Sequence, residues 1–521
     1  MTSIEFLGHA GLAFRTGDKL FLCDPWLSPQ GAYNASWFPY PRYQGAIEAL
    51  LRPDAIYISH EHLDHFDPWF LAKIDRSTPI LTGRFQKKRL LKELRRLGFR
   101  DIVELDGFEG YSPAPGLNVR VSTATYHCPP HWFDSCCIVE SESLKFFNLN
   151  DCNLALPLEQ IRNEGIDVLF AQASPAIWYP LTYTGYSADR FAELKSARRN
   201  SALESFVTAV KAIEPKLAVP FAGPPIFFDP RLADFFVGPD SMFPTPPVAV
   251  QELARRGPWP AMVVKPGDRL CFDEAAPAKL EPAPEYESFD YESGRKAYFD
   301  QHKEHMQPIV REVDAAIPTP APGLFERLRD HLTPLIKNNP YFAAHIDIRV
   351  LFEVTGDKGG RWIADFRDGA TEPIVYVDDG KPTEYRFQME SKYLDQVLRG
   401  ELSWEDLFLS LRFEAHRDPD VYNQHLFTFF KMGDHASLQA IAKSEMEMSS
   451  GDPEDTFVLE HEGNSYMVQR FCPHAGSDLS GAKVTDGHIV CPGHQWKFNL
   501  ETGICTHSNA KLFVRKRSNS G

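Results

Sequence analysis

The sequence predicts a multidomain chain of α/β class, and three observations predict it. Its 521 residues suffice for about three to four separate cores. Two Pro/Glu/Ala-rich stretches, near 273–288 and 444–456, have the composition of linkers or surface loops and divide the chain into three. Each part then shows its own periodicity: strands alternating with helices over 1–272, an α+β mixture over 285–445, and a short strand-rich end over 455–521.

In the first part, SIEFLGHAGLAFRT, KLFLCDPWL, AIYISH, NVRVSTATYH, LKFFNLND, DVLFAQAS and LAVPFAG read as strands, and RFAELKSARRNSALESFVTAVKAI reads as a helix. That alternation implies a layered sandwich with active loops at strand ends. GRFQKKRLLKELRRLGF reads as a helix with Leu90, Leu91, Leu94 and Leu97 turned inward and Lys87, Lys88, Lys92, Arg95 and Arg96 outward. Its cations form either a solvated face or a landing place for a phosphate-bearing substrate or an acidic ferredoxin. In the middle part GLFERLRDHLTPLIKN, SKYLDQVLRG and WEDLFLSLRFEAHR read as amphipathic helices, and HIDIRVLFEVTG, RWIADFRDG and PIVYVDD as strands.

Composition is globular, with 43% hydrophobic and 24% charged residues. The net charge of -16 argues against nucleic acid or an anionic membrane as a partner and favours a basic docking protein. Nine scattered cysteines, an N-terminus without the layout of a signal peptide and the lack of any membrane-length apolar run lead to the expectation of a cytoplasmic protein.

Two loops at the C-terminal end carry redox chemistry. RFCPHAGSDLSG offers Cys472 and His474, and VCPGHQWKFNLETG offers Cys491 and His494. A Cys₂His₂ zinc finger pairs its cysteines in one loop, whereas here each loop mixes thiolate and imidazole. This order is similar to the Rieske [2Fe-2S] pattern, in which one iron takes both cysteines and the other both histidines. The resemblance implies a cluster held by Cys472, His474, Cys491 and His494. Ser477 and Gly493 stand where respiratory Rieske proteins place a disulfide, so the loops resemble the oxygenase type, which passes single electrons to an oxygen-activating metal. Cys505 reads as an ordinary buried thiol.

A second constellation follows AIYISH, where His60, His62, Asp64 and His65 spell H-x-H-x-D-H at a strand end. The motif resembles the metallo-β-lactamase superfamily and implies its αββα sandwich. The resemblance places a third histidine at His127 and a bridging carboxylate at Asp151. GHAGLAF and LCDPWL, with His9 and Asp24, are similar to the branch that includes ascorbate-phosphate lactonase-like proteins. One expected ligand is missing, because Phe221 or Ala222 stands where the superfamily closes its second site with a late histidine. His60, His62 and His127 are thus expected on one metal, with Asp64, His65 and Asp151 for a second, so the site holds one metal or two. His131 reads as a surface or supporting histidine. Nitrogen and oxygen ligands accept zinc or iron alike, but an electron carrier has no use beside redox-inert zinc, so we read non-heme iron. A competing run, Asp300, His302, Glu304 and His305, reads as a solvated helix face.

Together with FAQASPAIWYPLTY, PFAGPPIFF and VLRGELSWEDLFLSLRFEAHRDPDVYN, the two motifs make the chain similar to the CMP-N-acetylneuraminate hydroxylases, although the vertebrate enzyme carries its Rieske domain first and this chain carries it last. The middle part resembles sterol-carrier modules. The family implies a monooxygenase that uses O₂ and a small-molecule substrate, a nucleotide sugar or an amine, with Asp64 and Asp151 completing coordination or handling protons. Without a G-x-G-x-x-G fingerprint, hydride chemistry falls to an outside donor, a ferredoxin or cytochrome b₅-type protein with its reductase. Tyr179 and Tyr183 either line the pocket or pack in a core. The rival reading is a zinc-dependent hydrolase with a regulatory Rieske domain.

Overall fold

In the computed structural model, which describes residues 2–123, 134–152, 161–238, 240–272, 278–367, 370, 372–449, 455–474, 476–493 and 495–517, the apolar runs of the first part become strands. In chain order these are β1 (Thr2–Gly8), β2 (Gly11–Thr16), β3 (Lys19–Cys23), β4 (Ala55–Ile58), β5 (Ile80–Gly83), β6 (Ile102–Leu105), β7 (Glu109–Ala114), β8 (Leu117–Thr123), β9 (Ser135–Ser141), β10 (Lys145–Asn150), β11 (Val168–Gln172), β12 (Leu217–Phe221), β13 (Arg269–Phe272) and β14 (Lys279–Glu281). They form an eight-stranded sheet, β14-β13-β1-β2-β3-β4-β5-β6, and a six-stranded sheet, β12-β11-β10-β9-β8-β7.

Alternation sets which face is buried. Along β8, Leu117, Val119 and Val121 turn inward while Asn118 and Arg120 stay half-buried. Phe14, Phe21 and Tyr57 from one sheet join Val119, Val139, Phe146 and Phe170 from the other in a single buried cluster, so the sheets face each other across one core. This is the expected αββα sandwich. Each large side chain withdrawn there contributes roughly 1.5–3 kcal/mol. The described half of the first Pro/Glu/Ala stretch is no free linker: β14 pairs with β13, and Tyr286 is buried with its hydroxyl on the Arg42 carbonyl.

Strand direction positions the site. β3 and β4 run parallel, as do β10, β11 and β12, and such sheets expose functional loops at the C-terminal ends of their strands. His9 follows β1, Asp24 follows β3, His60 to His65 follow β4, Asp151 follows β10 and Ala222 follows β12.

The described chain divides into two compact units, the sandwich with residues up to Asp314, and a second that gathers Ile177–Ala197 with the chain from Ala315 onward. The second unit contains a five-stranded sheet, in the order Val375–Val377, Gly360–Asp365, Arg349–Thr355, Tyr385–Glu390 and Phe413–Arg417, with helices including Leu324–Lys337, Ser391–Leu398 and Gln424–Met432. Only half of WEDLFLSLRFEAHR is the expected helix. Trp404–Leu409 is helical behind a Ser403 capping box; Leu411 then takes φ 57°, and Phe413 and Ala415 alternate inward as a strand. The last part folds into two three-stranded sheets, Thr456–His461, Asn464–Gln469 and Val514–Arg517, and Lys483–Thr485, His488–Val490 and Lys497–Asn499. Among the described residues no helix is long and apolar enough to cross a membrane.

Candidate metal centres

Asp24 organises the strand-end site. Its carboxylate is fully buried and accepts from the Ser59 N–H at 2.8 Å, the Ser59 hydroxyl at 2.5 Å, Asn150 Nδ2 at 2.6 Å and His65 Nδ1 at 2.8 Å. Because Ser59 Oγ spends its proton on Asp24, it accepts from His60 Nδ1, 2.8 Å away. Both neutral tautomers follow: when uncharged, His60 and His65 carry their proton on Nδ1 and turn Nε2 toward the site, the arrangement a metal-binding imidazole needs.

Those Nε2 atoms meet other donors. His60 Nε2 lies 2.9 Å from His62 Nδ1 and 3.8 Å from Asp134 Oδ1. His65 Nε2 lies 3.5 Å from Asp151 Oδ2 and 3.9 Å from Asp64 Oδ2. Two atoms bound to one metal, each about 2.1 Å from it, stand about 3 Å apart at right angles and at most about 4.2 Å apart, so these separations suit a cation between them. Asp64 Oδ1 accepts from the Tyr33 hydroxyl at 2.6 Å, and Asp64 Oδ2 lies 3.0 Å from His9 Nε2. Among the described residues, His65 Nε2 and Asp151 Oδ1 are buried without a hydrogen-bond partner, a costly state that metal coordination relieves. Two overlapping groups of donors result, His9 with Asp64 and His65, and His60 with His65 and Asp151.

The electrostatics agree with a cation site. Burial pulls the Asp64 carboxyl upward, but His65 and His9 more than offset it and hold it well below the usual carboxylate range. Burial pushes the His65 imidazole down, and Asp151 and Asp64 more than reverse this. The local field thus favours positive charge between these side chains. Strain gathers here too. His9 (φ 51°), Asp24 (φ 40°), Asn150 (φ 55°) and Ala222 (φ 53°) all adopt left-handed backbone, at roughly 1–3 kcal/mol each.

The structure brings His60, His62, Asp64, His65 and Asp151 together; His127 and His131 lie outside the described residues. Tyr33, Ser59, Asp134 and Asn150 escaped the sequence reading. Phe221 is buried in the sandwich core and Ala222 carries no ligand atom. The basic helix, Arg89–Arg96, buries only Leu90 and Leu94, and three of the five cations are paired: Lys87 is buried on Glu61 at 2.7 Å, Lys88 pairs with Glu104 and Arg96 with Glu93. In the 300–305 run, Asp300 pairs with Lys296 and Lys303, and His302 packs on Tyr298 at 4.2 Å. Tyr183 is buried, and the Arg417 guanidinium lies 5.0 Å over both Tyr179 and Tyr183, a packed arrangement.

The C-terminal loops close alike. Cys472 N donates to Ser477 O at 2.9 Å and Gly476 N to Cys472 O at 2.9 Å; Cys491 N donates to Trp496 O at 2.8 Å and Gln495 N to Cys491 O at 2.9 Å. Each loop turns through positive φ four residues past its cysteine, at Gly476 (70°) and Gln495 (59°). The Cys472 and Cys491 thiols are buried in an otherwise apolar cluster, and Trp496 packs 4.0 Å from the His474 ring. A Cβ at Gly493 would stand 3.4 Å from Ser477 Cβ, near the spacing of a disulfide, which supports reading these positions as the places of the missing bridge. His494 lies outside the described residues. Two buried thiols and an imidazole suit an iron–sulfur cluster, and Cys505 is buried in the same cluster of side chains.

Comparison with known proteins gives three domain matches along the chain. The chain fits the beta-lactamase superfamily domain over residues 3–222, the Rv3818-like, SCP2-like domain over 324–445 and the Rieske [2Fe-2S] domain over 432–515. It is 30% identical over 524 residues to a protein of Mycolicibacterium smegmatis named as a Rieske 2Fe-2S iron-sulfur protein, with 96% of this chain and 97% of that one covered. A protein of the same description from Mycobacterium tuberculosis is 29% identical with the same coverage. The cytidine monophosphate-N-acetylneuraminic acid hydroxylase of Danio rerio is 23% identical over 451 residues, covering 82% of this chain and 72% of that one. A lactamase-type sandwich first, a sterol-carrier-like domain next and a Rieske domain last make this chain a member of the family of Rieske 2Fe-2S iron–sulfur proteins that its mycobacterial relatives represent.

Proposed function

We propose that the protein is a Rieske-dependent, O₂-using monooxygenase with three working parts, 1–272, 285–445 and 455–521, whose sandwich site holds one or two non-heme irons. The observation that carries this reading is the presence in one chain of a one-electron cluster fold and a buried histidine–carboxylate site. The hydroxylase relatives support it, and their named substrate class makes a nucleotide sugar the first candidate, with an amine second.

His60, His62 and His127 would hold one metal, and Asp64, His65 and Asp151 a second; Cys472, His474, Cys491 and His494 would hold the cluster. Iron with open positions in a His/carboxylate set supplies O₂ binding and accepts electrons singly. The protein residues do the rest. Asp24 and Ser59 lock the imidazole tautomers, Tyr33 orients Asp64, and Asp64 and Asp151 would complete coordination or handle protons. The low exposure of His60, Asp64 and His65 excludes water and strengthens every charge interaction among them. The electron donor is an outside ferredoxin or cytochrome b₅-type protein.

The test is O₂ uptake by the reduced, iron-loaded protein against a panel of nucleotide sugars and amines. Substrate-dependent uptake, an oxygenated product and more than two irons per chain are expected, and His60→Ala should abolish uptake while the visible spectrum of the cluster persists. Zinc in the sandwich with hydrolytic activity would overturn the proposal.

A further inference from the structure

We propose that His9 replaces the late histidine missing after β12, as a direct ligand of the second metal beside Asp64, His65 and Asp151. This rests on the reading that the sandwich site holds metal, and is indifferent to which metal it holds.

The chain path makes the replacement possible. Ala222 N donates to His9 O at 2.9 Å, so the turn after β1 and the turn after β12 abut. An imidazole projecting from His9 therefore enters the region that a histidine at 221 or 222 would otherwise serve. Phe221 cannot do so, because its ring belongs to the core between the sheets.

The side-chain geometry favours ligation over an orienting hydrogen bond. His9 Nε2 is 3.0 Å from Asp64 Oδ2, and among the described residues it meets no well-aligned hydrogen-bond partner. Neighbouring ligands on one metal have that separation without pointing at each other. His9 Nδ1 is equally without a hydrogen-bond partner, and the residue is only 5% exposed. A buried imidazole whose one close polar neighbour among the described residues is a carboxylate is better satisfied when a cation completes it. The ring is held in place edge-on to Trp26 at 5.1 Å and to His65 at 5.3 Å, on a backbone strained to φ 51°. Strain of this kind at a non-glycine residue marks a side chain held for a purpose, and among the described residues the metal-ligating donors grouped with it are Asp64 and His65 of the second site.

The experiment measures metal binding in the full-length protein. Wild type, His9→Ala and the double variant His9→Ala/Ala222→His are loaded with Co²⁺, whose absorption reports nitrogen ligation, and titrated with a chelator. His9→Ala should lose about one metal equivalent per chain outside the cluster, with affinity falling more than ~100-fold, beyond the ~10–100-fold that loss of a supporting residue costs. The double variant should regain the metal, because the new imidazole enters from the abutting turn and histidine tolerates the left-handed backbone at 222. Full metal retention in His9→Ala, or a loss that Ala222→His leaves unreversed, overturns the assignment. Zinc in place of iron in the purified protein, with the same dependence on His9, leaves it standing while removing the oxygenase reading.

Discussion

Asp24 touches neither proposed metal and yet decides how both sets of ligands present themselves, since its four hydrogen bonds fix the tautomers of His65 directly and of His60 through Ser59. Tyr33 plays the same part for Asp64. Tyr33→Phe removes one hydrogen bond of 2.6 Å and little volume, so it should lower affinity for the second metal by ~10–100-fold without unfolding the sandwich, measured by chelator competition and circular dichroism. The motif His60, His62, Asp64, His65 was legible in the sequence because all its members leave one strand end within six residues. Tyr33 and Asp134 were not, because each reaches the site from a different loop and nothing in its own neighbourhood marks it, and Asn150 was passed over beside Asp151 because a neutral amide does not read as a ligand. Lys87 was misread for a related reason: the local pattern placed it on a solvated face, and its partner Glu61 lies between two proposed ligands, 26 positions away.

At the scale of elements, the two cluster loops approach each other closely where one of them carries a glycine. Gly493 faces Ser477, and an added Cβ would press on the serine hydroxyl while standing 3.8 Å from Cys491 Sγ. Gly493→Ala should therefore reduce cluster occupancy, read from the visible and electron paramagnetic resonance spectra, and Ser477→Ala in the same chain should restore most of it by removing the hydroxyl. The five-stranded sheet carries a different device, a row of ion pairs. Arg349 holds Asp379 well below the ordinary carboxylate range, while Asp378 and Asp365, which burial alone would raise, are held below it by the Gly380 N–H with Arg361 and by Arg367. Carboxyls depressed on folding contribute stability that is present above the unfolded value of about 3.9 and is lost as pH falls through the folded values. The unfolding midpoint of the second unit should thus be flat above about pH 5 and fall steeply below about pH 4, and Asp379→Asn should flatten part of that fall. Periodicity placed most of these elements correctly and failed at 404–417, where a capped helix of two turns runs into a strand: both halves are apolar at short spacing, and only the reversal at Leu411 separates them.

For the molecule as a whole, charge is distributed unevenly in a way that bears on the electron donor. The chain carries -16, but residues 455–521 hold seven basic side chains against six acidic ones, so all of the net negative charge lies outside the cluster domain. The division was visible in the sequence once the cluster ligands had marked the domain, whereas the total charge alone pointed to a basic partner. An acidic donor meets long-range repulsion from the rest of the chain, and Lys483, Lys497, Lys511, Arg515, Lys516 and Arg517, all exposed, supply attraction once it is close. Salt separates the two effects by range. Raising ionic strength from about 0.01 M to 0.1 M shortens the screening length from about 30 Å to about 10 Å, which suppresses the distant repulsion before the contact attraction. Reduction of the cluster by an acidic one-electron donor should therefore quicken over that interval and slow again toward 1 M, whereas a basic donor should slow throughout, as followed by stopped-flow absorbance of the cluster. A rate for the acidic donor that falls monotonically from the lowest salt would mean that the local basic side chains dominate at every distance.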